Sequence, residues 1–376
     1  MTTFHRDFET RSAADLRKTG AHAYAEHVST DVWCMAYAVD DEPVKLWAPG
    51  DPVPPEYVEA ARNPEWISYA HNAAFERAIE HYVMVPRYGW PVIPLEQQRC
   101  TMAQALAMAL PGGLDDLAIV LGVEERKDAK GHRDMLKLCR PRKRLSETEF
   151  TWWDEADALA RLYKYCIQDV VVEREVGKRL LPLRASELRL WHLDQRINER
   201  GVRVDKELCQ AAKKIVFETQ SRLDKRMLSI TDGFVRSGTD VARIVAFLTS
   251  HGIETDSIAK DRLGLLLERD DLPQVVREVL QIRAQAARAS VAKIDALLAG
   301  MSKDGRARGL LQYHGASTGR WSGRRFQPQN IRRGDSEDVG QLIEMVRTGD
   351  IDLIEMIYGD PLRAVSNCLR GMIRAG

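Results

Sequence analysis

No pair among the six cysteines of this 376-residue chain has CxxC or zinc-ligand spacing. Cys34, Cys100, Cys139, Cys166, Cys209 and Cys368 are scattered, and a disulfide framework does not suit so long and charged a chain. The thiols are therefore expected to be reduced and several of them to be core residues. Long apolar runs are missing as well; none approaches the ~20 residues that cross a bilayer, and no signal peptide precedes the first strand-like stretch. These absences exclude a membrane partner and place the expected site of action in the cytoplasm. Net charge is absent too. The 55 basic residues balance the 55 acidic ones, so any affinity for nucleic acid must come from local clusters.

What is present is a chain long enough for two or three domains, 44% apolar. Its first 180 residues alternate strand-like and helix-like stretches, which predicts an α/β layer structure. Strands are expected over 3–10, 32–39, 44–47 and 66–70, with Asp40 and Asp41 turning the hairpin. Helices are expected over 73–83, 101–110, 114–121 and 153–180. From about residue 185 strand signals nearly vanish. Leu190, Leu193 and Ile197 fall on one helical face; Leu208, Ile215, Leu223, Met227 and Ile230 mark a longer helix, and residues 275–298 a third.

Three short patterns carry carboxylates. Asp7 and Glu9 lie two apart on a predicted strand, so both point to one side, about 7 Å apart along the chain, while Phe8 points to the other. In His71-Asn72-Ala73-Ala74-Phe75-Glu76, Asn72 is placed to cap a helix and Glu76 to face the first pair. In Tyr165-Cys166-Ile167-Gln168-Asp169, the tyrosine and aspartate share a helix face, one turn apart. Carboxylates gathered from distant segments repel one another unless cations lie between them. Hard oxygen ligands suit Mg²⁺ or Mn²⁺, and two such ions can activate water and stabilise the leaving oxygen of a phosphodiester.

The order D-x-E, N-x-x-F-(D/E), Y-x-x-x-D resembles the three exonuclease motifs of the DEDD superfamily, in its tyrosine subtype. The resemblance implies a 3′→5′ exonuclease with an RNase H-like mixed sheet and two divalent ions. Asp7, Glu9 and Asp169 would hold metal and Glu76 would support the second ion. Tyr165 with Glu9 would position the attacking water. Most relatives carry aspartate where Glu76 stands.

A second block, Ser317-Thr318-Gly319-Arg320-Trp321-Ser322-Gly323 followed by Gln329-Asn330-Ile331, resembles the T-G-R-x-S…Q-N-I block of family A DNA polymerases, phage and prophage types above all. Between residues 303 and 333 there are eight basic side chains and one acid, Asp304. Such a cluster on a neutral chain is an electrostatic footprint for nucleic acid. A further basic stretch, 126–144, holds nine Lys or Arg against Asp128 and Asp134; it is expected to be an exposed loop or a guide for a single-stranded 3′ end.

The resemblance divides the chain into an exonuclease domain at 1–182, a mostly helical thumb-like region at 183–300 and the start of a polymerase palm at 301–376. Asn72, Phe75, Lys127, Arg320, Arg324, Arg325, Gln329 and Asn330 would contact DNA, as a single-stranded 3′ end or a primer–template duplex. The palm aspartates and fingers helix of that family are not found, so the chain alone is expected not to polymerise DNA. Residues 335–376 are expected to leave Leu353, Ile354, Ile357, Leu362, Val365 and Leu369 partly exposed and to favour a partner, such as a separate C-terminal polymerase fragment. Two other readings share the motifs. One is a DNA-binding subunit with little nuclease activity; the other is an RNase D-like RNA exonuclease, which has no need of the 317–331 block.

Overall fold

The computed structural model describes the chain except residues 125–128, 287–289, 332–333, 335–337 and 376. Two compact units form, Met1–Gly201 with Ala299–Gln329 and Val202–Leu298 with Asn330–Gly376. Among the described residues, no helix is long and apolar enough to cross a membrane.

The first unit is built on β1 (Thr2–Arg11). It pairs antiparallel with β2 (Asp31–Val39), which pairs antiparallel with β3 (Lys45–Trp47). On its other side it pairs in parallel with β4 (Trp66–Ala70), which is followed, again in parallel, by β5 (Gln98–Cys100). The sheet is thus mixed, in the order β3-β2-β1-β4-β5. Period-two alternation sends Phe4 and Phe8 into a cluster with Tyr57, Ile79 and Trp90 on one face. Cys166 and Val170 cover Cys34, Ala36 and Ala38 on the other. A strand buried on both faces reads as a nearly unbroken apolar run, as β2 does.

Helices α1 (Leu16–Ala25), α2 (Pro55–Arg62), α3 (Ala73–Ile79), α4 (Thr101–Ala107) and α5 (Leu114–Val120) fall within the first 120 residues. They are followed by α6 (Ala129–Leu138), α7 (Ala156–Arg179) and α8 (Ala185–Arg200). Two differ from expectation. The stretch predicted as one helix over 73–83 changes at Glu80 into a π-helical turn, Glu80–Met84. This turn aims the buried Glu80 at Arg6, whose guanidinium also donates to Ser68 and Gln98. The basic stretch expected as a loop contains α6, because Leu138 packs on Ala158 and Leu162 of α7.

The second unit is helical, with α9 (Lys206–Ile230), α10 (Val241–Ser250), α11 (Lys260–Leu267), α12 (Gln274–Ala286) and α13 (Ser290–Ala299, whose last residue falls in the first unit). Helices α14 (Val339–Thr348), α15 (Ile351–Tyr358) and α16 (Pro361–Cys368) complete it. The expected exposure of its C-terminal apolar residues is corrected for four of the six. Ile354, Leu362, Val365 and Leu369 are buried, since α14 and α16 pack on α9, while Leu353 is half-buried and Ile357 exposed. Asp350 and Asp360 are helix N-caps accepting from the Leu353 and Arg363 amides, and Asp352 pairs with Arg222.

Candidate metal and nucleic-acid site

Asp7 and Glu9 leave β1 on the face opposite Phe8, as strand alternation requires. The ladder to β2 slips between Glu9 and Thr10, a bulge that changes the direction of the strand beside the pair. Asp169, from α7, meets them there. Each of the three offers a carboxylate oxygen, and these oxygens lie within 4.8 Å of one another. Glu9 and Asp169 are buried and Asp7 is half-buried.

Glu76 stands beside this trio rather than in it. Its side chain is buried, and its Oε2 has no hydrogen-bond partner. Burial, reinforced by the charge of Asp7, pushes its pKa well above the usual carboxylate range. Tyr165 lies one turn before Asp169 on α7 and is also buried, with its hydroxyl 3.5 Å from Nδ1 of His132. Cys166 between them is no ligand. Its thiol, held well above its ordinary pKa by burial and by Cys34, lies 3.6 Å from Asp7 Oδ2 and donates to it. The donor set is therefore all oxygen. Three converging carboxyls, with Glu76 and its orphaned buried oxygen beside them, fit a hard divalent cation and do not fit a soft one.

The remaining predicted residues scatter. Asn72 occupies the position before α3 but its backbone is left-handed (φ 67°, ψ 46°), and its side chain makes no capping bond. Capping uses extended backbone, so the N-cap role assigned from sequence fails, while asparagine remains one of the few residues that tolerate this conformation. Asn72 and Phe75 line a cavity of about 590 Å³ together with Arg324 and Arg325. Arg324 donates to Gln312 Oε1. Arg325 is held by the carbonyls of Arg308 and Gly309 and fills the space a Cβ at Gly20 would take. Arg320 and Gln329 are exposed; Asn330 belongs to the second unit, and Lys127 lies outside the described residues.

Sequence reasoning passed over His132, whose signal was a histidine inside the basic stretch. It also passed over a cation–aromatic surface: Lys137 lies over Trp153, and Arg11 over Trp33, at 4.2 and 4.1 Å from the ring centroids. Alternating rings and cations of this kind suit a single nucleic-acid strand.

No protein-family profile matches the chain. Over 386 aligned residues it is 35% identical to a DNA polymerase of Bacillus phage SP02, covering 98% of this chain and 57% of the phage protein. The chain thus spans little more than half the length of that relative. Among solved structures it is similar to the POL domain of Pol1 from M. smegmatis in complex with a DNA primer-template and dNTP. The TM-score is 0.55 at 16% identity, covering 89% of this chain and 53% of that one.

Proposed function

The chain belongs to the family A DNA polymerases, and from that premise we propose that these residues act as a metal-dependent 3′→5′ DNA exonuclease of the proofreading kind. The observation that carries the proposal is the convergence of Asp7, Glu9 and Asp169 from a strand and a helix that are distant in sequence. The mixed sheet with α7 packed on β1 and β2 supports an RNase H-like nuclease domain at 1–182. On this reading 183–300 is thumb-like and 301–376 begins a palm.

Asp7, Glu9 and Asp169 would hold one Mg²⁺ or Mn²⁺ ion, with Glu76 serving a second. Bound there, the ions would supply an activated water and neutralise charge on the scissile phosphate. Tyr165, its hydroxyl fixed near His132, would orient the water for attack. Phe75, next to Glu76, would set a base against its ring, and the basic residues of 303–333 would track the backbone. The palm aspartates and fingers helix of the family are not found among these residues, so nucleotide addition by them alone is expected to be nil.

A 5′-labelled primer with a mismatched 3′ end, annealed to a template, separates the readings in Mg²⁺ or Mn²⁺ with dNTPs. Products shortened one nucleotide at a time are expected. Unchanged length would favour a DNA-binding subunit without nuclease activity, and extension would contradict the assignment.

A further inference from the structure

Helix α8 turns Leu190 and Leu193 outward and Asp194, Gln195 and Asn198 inward. Leu190 and Leu193 are 43% and 44% exposed, whereas Asp194 is 2% exposed and Gln195 and Asn198 are buried. Burying a carboxylate costs free energy unless its oxygens are satisfied. Asn198 has a structural role, since its amide donates to the Leu311 carbonyl and accepts from the Leu311 N–H. One oxygen of Asp194 is served too, as Oδ2 accepts from Gln195 at 2.9 Å and Asn198 at 3.1 Å. The other oxygen, Oδ1, is buried without a partner. Burial raises the Asp194 pKa to about 6, with Asn198, Gln195 and the Arg324 charge opposing. The group is therefore ionised at neutral pH.

Asp194 lines the 590 Å³ cavity already described. A cavity of that size encloses a small organic ligand. Its lining also includes Trp191, Tyr313 and Phe75 and three arginines, Arg17, Arg324 and Arg325, the last held by the Arg308 and Gly309 carbonyls. Aromatic side chains, one anionic acceptor and cations together describe a planar donor attached to an anion. We propose that this cavity is a nucleobase subsite in which Asp194 Oδ1 accepts a hydrogen bond from the exocyclic amino group of an unpaired cytosine, adenine or guanine, with Arg17 and Arg324 serving its phosphate. The inference rests on nucleic acid being the ligand but not on cleavage. Thymine fits worse, because its N3–H is flanked by two carbonyl oxygens that an anionic oxygen repels.

The test is equilibrium binding of 5′-fluorescein oligo(dC) and oligo(dT) octamers by fluorescence anisotropy in EDTA, where no strand is cut. Wild type is expected to prefer oligo(dC) roughly tenfold. In Asp194→Asn the amide oxygen keeps the Gln195 and Asn198 bonds and its NH₂ turns to the cavity, so the preference should disappear while oligo(dT) binding is kept. An octamer of N4,N4-dimethyldeoxycytidine, offered to unaltered protein, should bind like oligo(dT). Equal affinity of wild type for all three octamers, or an Asp194→Asn variant with the preference intact, overturns the subsite. Failure of every octamer to bind overturns the nucleic-acid reading itself.

Discussion

Asp194 sets stability against function at a single residue. Its folded pKa of about 6 lies above the ordinary 3.8, so the folded state binds the proton more tightly than the unfolded chain. Stability is then full below pH 3.8 and is lost as pH rises through about 6, by on the order of 3 kcal/mol. Asp194→Asn should abolish that loss, so thermal melts of the variant and wild type should diverge in the variant's favour between pH 4 and 7. A constant difference across that range would contradict the burial argument. At the metal site, Tyr165→Phe is expected to lower kcat about 10²-fold with KM little changed, measured on single-stranded DNA. Asp7, Glu9 and Asp169 could be named from sequence because strand and helix periodicity put each pair on one face and the order of the three motifs resembles the DEDD pattern. Asp194 could not. The apolar period of Leu190, Leu193 and Ile197 pointed to the wrong buried face, and only the backbone bonds from Asn198 to Leu311 reveal which face the helix buries.

Among the elements, β1 has the most demanding environment, with apolar and ionic groups buried on its two faces. Its Arg6 is 1% exposed and depends on Glu80 from the π turn. Glu80→Ala would leave a buried guanidinium without its counter-charge and should cost about 3–5 kcal/mol in urea unfolding. A loss below 1 kcal/mol would mean that Ser68 and Gln98 suffice to hold Arg6. In the second unit, Asp205 caps α9 through the Leu208 amide and pairs with Arg347 and Arg374. Asp205→Ala should lower stability by about 2 kcal/mol, and Asp205→Asn, which keeps the cap, by less. The predicted strands of the first 70 residues coincide with the observed ones within a residue or two, since alternation and turn residues agree there. The π turn and α6 were not legible, because each is set by a tertiary partner, Arg6 for one and α7 for the other.

At the scale of the whole molecule, the second unit buries more of its C-terminal apolar residues than the sequence suggested. Residues expected to wait for a partner, such as Leu362 and Val365, are already covered by α9. Family membership rests on sequence identity along nearly the whole chain. The proposed activity rests on the converging carboxylates of Asp7, Glu9 and Asp169, and the most direct test is the rate at which a 5′-labelled single strand shortens from its 3′ end. With Mg²⁺ or Mn²⁺, wild type should give a ladder of single-nucleotide steps. EDTA should stop it, and Asp7→Ala and Asp169→Ala should each slow it by at least about 10³-fold. A ladder of undiminished rate in both variants, or no metal-dependent ladder in wild type, would contradict the account.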